Sequence, residues 1–265
     1  MEKISVGKYT FGDGNPRIFV PVIGRTEDEI YQAANAINEE IKRLDEVYSD
    51  YPELSVSAIE WRADYFDDVA DLDRLSNVLT RLREIFPDRL LLFTFRSEEQ
   101  GGELRHDMVC RNLEPIMKTV IISNCVDLLD VELTCGNYKV VRATTKAHEM
   151  GLKVIMSYHD FDRTPHDSEI IQKLQDMETL GADILKIAVM PRNEFDVRRM
   201  MELNKRMSEE SFKPITIISM GEKGMMSRFK GREYGSCLTF CSIGQESAPG
   251  QIEAADLIEL MKHQL

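Results

Sequence analysis

Lys186 is the residue of this sequence best suited to covalent chemistry. It lies in the apolar segment DILKIAVM, between Leu185 and Ile187. Burial disfavours a charged ammonium and lowers the pKa of a lysine, and a neighbouring cation lowers that pKa further. The neutral amine that results can attack a carbonyl and form a Schiff base. A lysine at a strand end often reaches solvent instead, but the apolar flanks favour a buried, reactive amine here.

A histidine stands near the end of the preceding apolar segment, KVIMSYHDF. Because histidine ordinarily titrates near neutral pH, this residue, His159, is suited to take and return a proton within one reaction cycle. If the two segments are neighbouring strands, His159 lies one strand spacing from Lys186. The other histidines fall on predicted helices or loops and are expected at the surface: His106, His148, His166 and His263.

Charged side chains also end three earlier apolar segments. They are Glu60 and Arg62 in SAIEWRAD, Arg96 in RLLLFTFRS, and Asp130 and Glu132 in VDLLDVEL. Alternate residues of a strand share a face. Glu60 and Arg62 therefore lie on one face of their strand, and Asp130 and Glu132 lie on one face of theirs. Buried charges need partners or a ligand. Alone, these residues fit either an internal ion-pair network or a ligand site; the added lysine and histidine favour an active site.

The elements that must position these residues repeat eight times. Short apolar segments, each followed by a helix-like stretch, begin at Arg17, Ser57, Arg89, Val126, Lys153, Asp183, Pro214 and Ser236. Such runs are typical of strands buried on both faces, and their alternation with helices gives parallel strands with right-handed crossovers. Eight units predict a (β/α)8 TIM barrel that spans residues 1–265 as a single domain, with a doubly wound open sheet as the alternative. The charged strand ends would then share one mouth of the barrel.

The segments between and before these strands also carry signals. Helical spacing predicts helices over residues 27–47, 168–180, 193–207 and 251–261, and a short helix between Gly221 and Gly235. Residues 4–16 contain the turn signal FGDGNP. We predict an N-terminal β-hairpin there that caps the bottom of the barrel, at the N-terminal ends of its strands.

The composition limits the partners of this chain. Its 265 residues include 33 basic and 46 acidic side chains, which gives a formal charge of −13. This balance argues against binding to nucleic acid, which requires a basic protein surface, and against binding to an anionic membrane surface. A few local cations can still bind a small anionic substrate. No apolar run approaches the roughly 18 residues of a membrane span, so no membrane association is expected.

The cysteine and glycine patterns bear on location and cofactors. Five cysteines without a CxxC pair predict reduced thiols and a cytoplasmic protein. The metal motifs HxH and HExxH do not occur, so no metal is expected. No dinucleotide or P-loop motif follows a strand, so no cofactor is expected, and GEKG at Gly221–Gly224 is only a weak phosphate signal.

Six motifs occur in the order of one known family: EWRADYF from Glu60, FTFRS from Phe93, SYHDF from Ser157, KIAVMP from Lys186, SRF around Arg228 and SAPGQ from Ser247. Nearly the whole chain resembles the type I 3-dehydroquinate dehydratases. The resemblance implies a (β/α)8 barrel, a homodimer, no cofactor, and syn elimination of water from 3-dehydroquinate to give 3-dehydroshikimate. It also implies that Lys186 is the Schiff-base lysine and His159 the general acid/base. The implied substrate-binding residues are Glu60, Arg62, Arg96, Arg228, Ser247 and Gln251.

The same resemblance implies finer roles and shows two departures. Arg228 would pair with the substrate carboxylate in a bidentate fork, and Ser247 and Gln251 lie on a loop that could close as a lid. Gln100 stands where many members carry Glu; it keeps the hydrogen bonding but drops a charge that could tune the histidine. Pro21 stands where members often have Ser, and it is therefore left out of the ligand set.

Two other functions fit parts of the pattern. A class I aldolase would share Lys186 and a barrel mouth, but an aldolase of sugar phosphates needs a phosphate loop, whereas SRF and SAPGQ favour a carboxylate. A non-catalytic binding or regulatory barrel would keep the fold and lose the lysine or the histidine, and both are present.

Overall fold

The chain begins with an antiparallel hairpin of strands β1 (Ile4–Val6) and β2 (Tyr9–Phe11) in a computed structural model that describes residues 2–265. Ile4 and Phe11 are buried, and they pack against apolar side chains from the beginnings of the barrel strands, such as Phe19 and Leu90. The rings of Phe11 and Phe19 lie 6.2 Å apart between centroids. The predicted hairpin cap on the barrel bottom is confirmed.

Eight parallel strands follow in an order that matches their order in the chain. They are β3 (Arg17–Val22), β4 (Val56–Arg62), β5 (Leu90–Thr94), β6 (Leu128–Glu132), β7 (Lys153–Asp160), β8 (Ile184–Val189), β9 (Ile215–Ser219) and β10 (Leu238–Ser242). Strand β10 pairs with β3. A further two-residue strand, β11 (Ile252–Glu253), pairs with the end of β10.

Hydrogen bonds between β9 and β10 close the sheet on itself. The backbone N–H of Cys237 donates to the carbonyl of Ile215 at 2.9 Å. The hydroxyl of Thr216 donates to the carbonyl of Leu238 at 2.9 Å and accepts from the Leu238 N–H at 3.2 Å. The predicted (β/α)8 barrel is therefore confirmed, and the alternative of a doubly wound open sheet is wrong.

Helices cover the outside of the barrel. They are α1 (Glu27–Val47), α2 (Leu72–Ile85), α3 (His106–Ser123), α4 (Asn137–Glu149), α5 (Asp167–Thr179), α6 (Glu194–Glu210), the short α7 (Gly221–Gly224) and α8 (Met226–Phe229), and α9 (Ala254–Lys262). No helix of the described residues is long and apolar enough to cross a bilayer. Sequence spacing placed the start of the last helix at Gln251, but Ile252 and Glu253 pair with β10 instead, so that helix begins at Ala254.

Residue alternation along the strands separates two cores, as predicted. One face of each strand points into the barrel, where Ala58, Leu92 and Ile155 are buried together. The opposite face packs under the helices, with Trp61 and Ile187 fully buried there. Because this alternation continues to the strand ends, the residues that follow the inward apolar positions emerge at the C-terminal mouth.

Candidate active site

The C-terminal mouth of the barrel holds an open cavity with about 420 Å³ of space between its atoms. Every residue that the sequence predicted for catalysis or substrate binding lines this cavity: Lys186, His159, Glu60, Arg62, Arg96, Arg228, Ser247 and Gln251. Apolar side chains, including Phe161, Met220 and Phe240, fill much of the remaining wall. The structure thus brings the whole predicted set together at one place.

Strands β7 and β8 carry the lysine and the histidine. In their parallel register Ser157 lies opposite Lys186, and His159 lies opposite Ala188. The histidine is therefore two residues farther toward the mouth than the sequence-based expectation, which placed it beside the lysine. This offset places His159 nearer the mouth than the lysine.

Lys186 is buried in surroundings that disfavour its protonated form. Its Nζ lies 4.4 Å from the ring centroid of Phe240 and 3.8 Å from Asp130 Oδ2, beyond hydrogen-bonding distance. Burial, and next the charge of Arg96, lowers the pKa of Lys186 from 10.5 to about 8, although Asp130 opposes the change. The amine can therefore lose its proton near neutral pH and act as a nucleophile.

His159 is held from two sides. Arg96 Nη1 lies 2.9 Å from His159 Nδ1 and also contacts Nε2. The Gln100 side chain binds the histidine backbone: its Oε1 accepts from the His159 N–H at 2.7 Å, and its Nε2 donates to the His159 carbonyl at 3.3 Å. Burial first, and then the neighbouring cations with Arg96 foremost, lower the pKa of His159 well below 6.5. The imidazole is therefore neutral at pH 7 and able to accept a proton.

Two of the arginines at the mouth are already paired with carboxylates. Arg62 donates to both oxygens of Asp64 at 2.9 and 2.8 Å, and also to the carbonyls of Ser247 and Gly101. Arg96 Nη2 donates to Asp130 Oδ2 at 2.6 Å. The sequence analysis did not assign Asp64 to the site, although it continues the alternation of Glu60 and Arg62 in EWRAD.

Two buried glutamates near the mouth have different roles: one lines the cavity, and the other supports its wall. Glu60 lines the cavity and accepts a hydrogen bond from the Thr94 hydroxyl at 2.8 Å. The alternation of residues along β6 predicted that Glu132 faces the mouth, but Glu132 does not line the cavity. Its carboxylate accepts from the backbone N–H and the hydroxyl of Ser97 at 2.7 and 2.9 Å. It therefore fixes the chain directly after Arg96 instead of facing a ligand.

Arg228, on the short helix α8, is a buried cation without an ion-pair partner. Its guanidinium donates to the carbonyls of Pro249 and Phe240 at 3.1 and 3.5 Å. Within residues 2–265 no carboxylate lies within 4.0 Å of it, and its buried Nε has no hydrogen-bond partner. Burial lowers its pKa to about 10, with Glu246 partly offsetting the fall. Such a group strongly favours a bound anion.

The loop after β10 completes the cavity wall. Gln251 Oε1 accepts from the Ser247 N–H at 2.8 Å, and Gln251 Nε2 donates to the Ser247 hydroxyl at 3.0 Å. The Gly221 N–H donates to the Pro249 carbonyl at 3.0 Å, and a Cβ at Gly250 would lie 2.4 Å from the Gly221 carbonyl oxygen. Only glycine fits this close approach, so Gly250 lets the loop lie against the start of α7.

The described part of the chain holds no cluster of metal ligands. Among residues 2–265, no group of three or more His, Cys, Asp or Glu side chains is arranged to hold a metal ion. The polar groups that converge on the cavity are cations, amides and hydroxyls around Glu60. This chemistry suits a small, hydroxylated organic anion with a carbonyl group.

Comparisons with known proteins agree with this site chemistry. A family model described as type I 3-dehydroquinase matches residues 18–264. The chain is 40% identical to 3-dehydroquinate dehydratase of Listeria monocytogenes over 258 residues, which cover 97% of this chain and 96% of the relative. The type I 3-dehydroquinate dehydratase of Clostridium difficile, solved with covalently modified comenic acid, superposes with a TM-score of 0.88 at 36% identity, covering 100% of this chain and 98% of that one. The Geobacillus kaustophilus 3-dehydroquinate dehydratase gives a TM-score of 0.87 at 29% identity, covering 99% and 96% of the two chains.

Proposed function

The chain belongs to the type I 3-dehydroquinase family and dehydrates 3-dehydroquinate; we propose that it does so through a Schiff base on Lys186, with His159 as the general acid and base. The observation that carries this proposal is the buried Lys186 amine, whose pKa of about 8 leaves roughly a tenth of it neutral at pH 7. An ordinary lysine with a pKa of 10.5 would have only about one neutral amine in 3,000 at that pH. The site therefore supplies roughly 300-fold more nucleophile.

The reaction proceeds in steps that these two residues perform. The neutral amine of Lys186 attacks the substrate ketone, and uptake of one proton with loss of water gives a protonated imine. The iminium draws electrons from the adjacent C–H bond, so His159 can remove that proton and leave an enamine. The enamine then expels the β-hydroxyl, which takes the proton back from His159 and leaves as water. Hydrolysis of the product imine returns the lysine and releases 3-dehydroshikimate.

The remaining residues bind and orient the substrate. Arg228 pairs with the carboxylate, because it is the cation at the mouth that lacks an anionic partner. Glu60 and the outward donors of Arg62 and Arg96 hold the ring hydroxyls. Ser247 and Gln251 close the upper wall of the cavity. Arg62 also supports the wall directly, since it donates to the Ser247 and Gly101 carbonyls.

Two measurements test this proposal together. With 3-dehydroquinate, the protein should produce the ultraviolet absorbance of a conjugated enone. Absence of that signal would exclude the dehydratase activity and favour a class I aldolase. With substrate and borohydride, a stable mass increase should map to Lys186. Lys186→Met should lose both signals, whereas Lys146→Met, at an exposed position on α4, should keep both. A mass increase that persists in Lys186→Met would show that another residue forms the covalent bond.

We further propose that the chain acts as a homodimer, an expectation that rests on the family resemblance, and that it resides in the cytoplasm. Its five free thiols are compatible with a reducing compartment. Sedimentation equilibrium should give twice the chain mass of 30.4 kDa. A mass of one chain at all concentrations would contradict the dimer without affecting the proposed chemistry.

A further inference from the structure

A pair of thiols lies outside the cavity, behind strand β6, and the proposed dehydration does not use it. Cys110 on α3 and Cys135, which ends the turn after β6, have Sγ atoms 3.0 Å apart. Cys110 is partly exposed and lines a groove between α3 and α4, whereas Cys135 is buried. The other described cysteines have no such partner, because the hydrogen bonds of the Cys125, Cys237 and Cys241 sulfurs go to oxygen atoms.

Titratable groups flank this pair on both sides. On the groove side, His106 Nε2 lies 3.4 Å from Cys110 Sγ, one helical turn earlier on α3, and His106 Nδ1 lies 3.8 Å from a carboxylate oxygen of Glu99. On the barrel side, Cys135 Sγ lies 3.8 Å from Glu132 Oε2. A nucleophile and a base that can take its proton thus stand side by side, with a second thiol behind them.

We propose that Cys110 and Cys135 form an oxidant-responsive dithiol site, in which a peroxide oxidises Cys110 and Cys135 then closes a reversible disulfide. The geometry assigns different roles to the two thiols. Cys110 meets the oxidant because it faces the groove and has His106 beside it. Cys135 resolves the product because it is buried at contact distance from Cys110 Sγ.

The two steps balance in atoms and electrons. In the first, the Cys110 thiol transfers its proton to His106 and its sulfur attacks the peroxide; the O–O bond breaks, a Cys–SOH forms, and the leaving oxygen takes the proton and departs as water or an alcohol. In the second, Cys135 sulfur attacks the sulfenic sulfur, the S–S bond forms, and water leaves with the Cys135 proton. Each sulfur loses one electron, and the peroxide gains two.

The surroundings of Cys135 explain why it is the second thiol to react. Burial raises the pKa of the Cys135 thiol, so it is inert until an electrophile reaches contact distance. Burial also raises the pKa of Glu132, so this carboxylate can take the thiol proton when Cys135 attacks and pass it to the hydroxyl that leaves as water. A disulfide between buried and half-buried thiols in a reducing compartment is transient, which is the behaviour of redox-responsive pairs.

The test uses the whole chain in its reduced form, treated with a stoichiometric amount of hydrogen peroxide and then alkylated. The wild type should lose two hydrogens in intact mass, a peptide map should link Cys110 to Cys135, and dithiothreitol should reverse both changes. In Cys135→Ser the sulfenic acid should persist and be trapped by dimedone on Cys110. In Cys110→Ser, Cys135 should stay reduced.

Two further variants separate the proposed site from general thiol oxidation. Cys125→Ser, which removes another half-buried thiol, should form the disulfide as fast as the wild type. His106→Gln should slow the reaction of Cys110 by roughly tenfold or more, because glutamine cannot take the thiol proton and a positioned general base contributes about 10²-fold or more. Failure of the wild type to link Cys110 with Cys135, or dimedone labelling of Cys125 at the rate of Cys110, would overturn the proposal. These readouts are independent of the dehydratase activity.

Discussion

Replacing Lys186 with methionine should stabilise the folded protein at neutral pH while it abolishes activity. The pKa of Lys186 falls from 10.5 to about 8 because burial, and next Arg96, disfavours the ammonium. At pH 7 most native molecules nevertheless carry that ammonium. The gap of roughly 2.5 pH units, at about 1.4 kcal/mol each, makes the native state about 3 kcal/mol less stable than it would be with an unperturbed group.

Methionine removes this cost without leaving other groups unpaired. It has no charge, and its flexible side chain can pack against Phe240, whose ring centroid is 4.4 Å from the lysine Nζ. Asp130 keeps its hydrogen bonds from Arg96 at 2.6 Å and from Ser157 at 2.7 Å. The expected gain is therefore close to the full value of about 3 kcal/mol in the free energy of unfolding.

The pH dependence identifies the cause of the gain. The unfolded chain holds the lysine proton up to about pH 10.5, whereas the folded chain holds it only up to about pH 8. Between these values the unfolded state binds more protons, so the stability of the wild type rises with pH. The advantage of Lys186→Met is therefore complete below pH 8 and disappears as the pH approaches 10.5.

Urea unfolding of both proteins at pH 7 and pH 10 measures this difference. With an m-value of about 3 kcal/mol per molar, the midpoint of Lys186→Met should lie about 1 M above that of the wild type at pH 7 and only about 0.3 M above it at pH 10. Lys146→Met, at an exposed position, should change stability by no more than about 0.5 kcal/mol at either pH. A loss of stability in Lys186→Met at pH 7, or a gain of equal size at both pH values, would refute the electrostatic reasoning.

Three further substitutions test the roles of the neighbouring residues. His159→Ala should still give the borohydride adduct but lower kcat by about 10²- to 10⁴-fold, because proton transfer is lost; an unchanged kcat would remove His159 from that role. Arg228→Lys should raise KM by roughly 10- to 100-fold with a smaller effect on kcat, because lysine cannot form a bidentate pair with a carboxylate; steady-state kinetics with an unchanged KM would contradict this. Gln100→Glu sets a carboxylate against His159 and should raise the pKa of that imidazole. The acidic limb of the kcat profile should then move to higher pH, and superimposable profiles for the two proteins would argue against any such coupling.

The sequence predicted best what depends on local alternation. The inward direction of Glu60, Arg62 and Lys186 follows from strand period alone, and the barrel closes in the way that eight alternating units require. Register between strands is less local, so His159 was expected beside Lys186 and lies opposite Ala188. The strand period also gave a wrong prediction for Glu132, because β6 ends there and Ser97 donates its N–H and hydroxyl to the carboxylate.

Contacts between distant segments were beyond the reach of sequence patterns. The pairing of Arg96 with Asp130 depends on how two strand ends meet. The hydrogen bond between Gln100 and the His159 backbone depends on a loop that folds back over the mouth. In this loop a Cβ at Gly102 would lie 2.0 Å from the Arg96 carbonyl oxygen. Composition could not show either contact, since both require a particular chain path and not a particular residue spacing.

Pairing explains how a chain with a formal charge of −13 can bind a small anion. Of the four cations at the mouth, Arg62 and Arg96 are hydrogen-bonded to the carboxylates of Asp64 and Asp130. Lys186 and Arg228 are the two whose pKa values burial lowers, to about 8 and about 10, which marks them as the charges left without full compensation. Acidic groups on the outer surface are screened beyond about 8 Å at physiological ionic strength, so they oppose an anion inside the cavity only weakly. In the proposed mechanism these two cations set the specificity: a ligand with a carboxylate for Arg228 and a ketone for Lys186 satisfies both residues, and a ligand that lacks either group leaves one of them buried without full compensation.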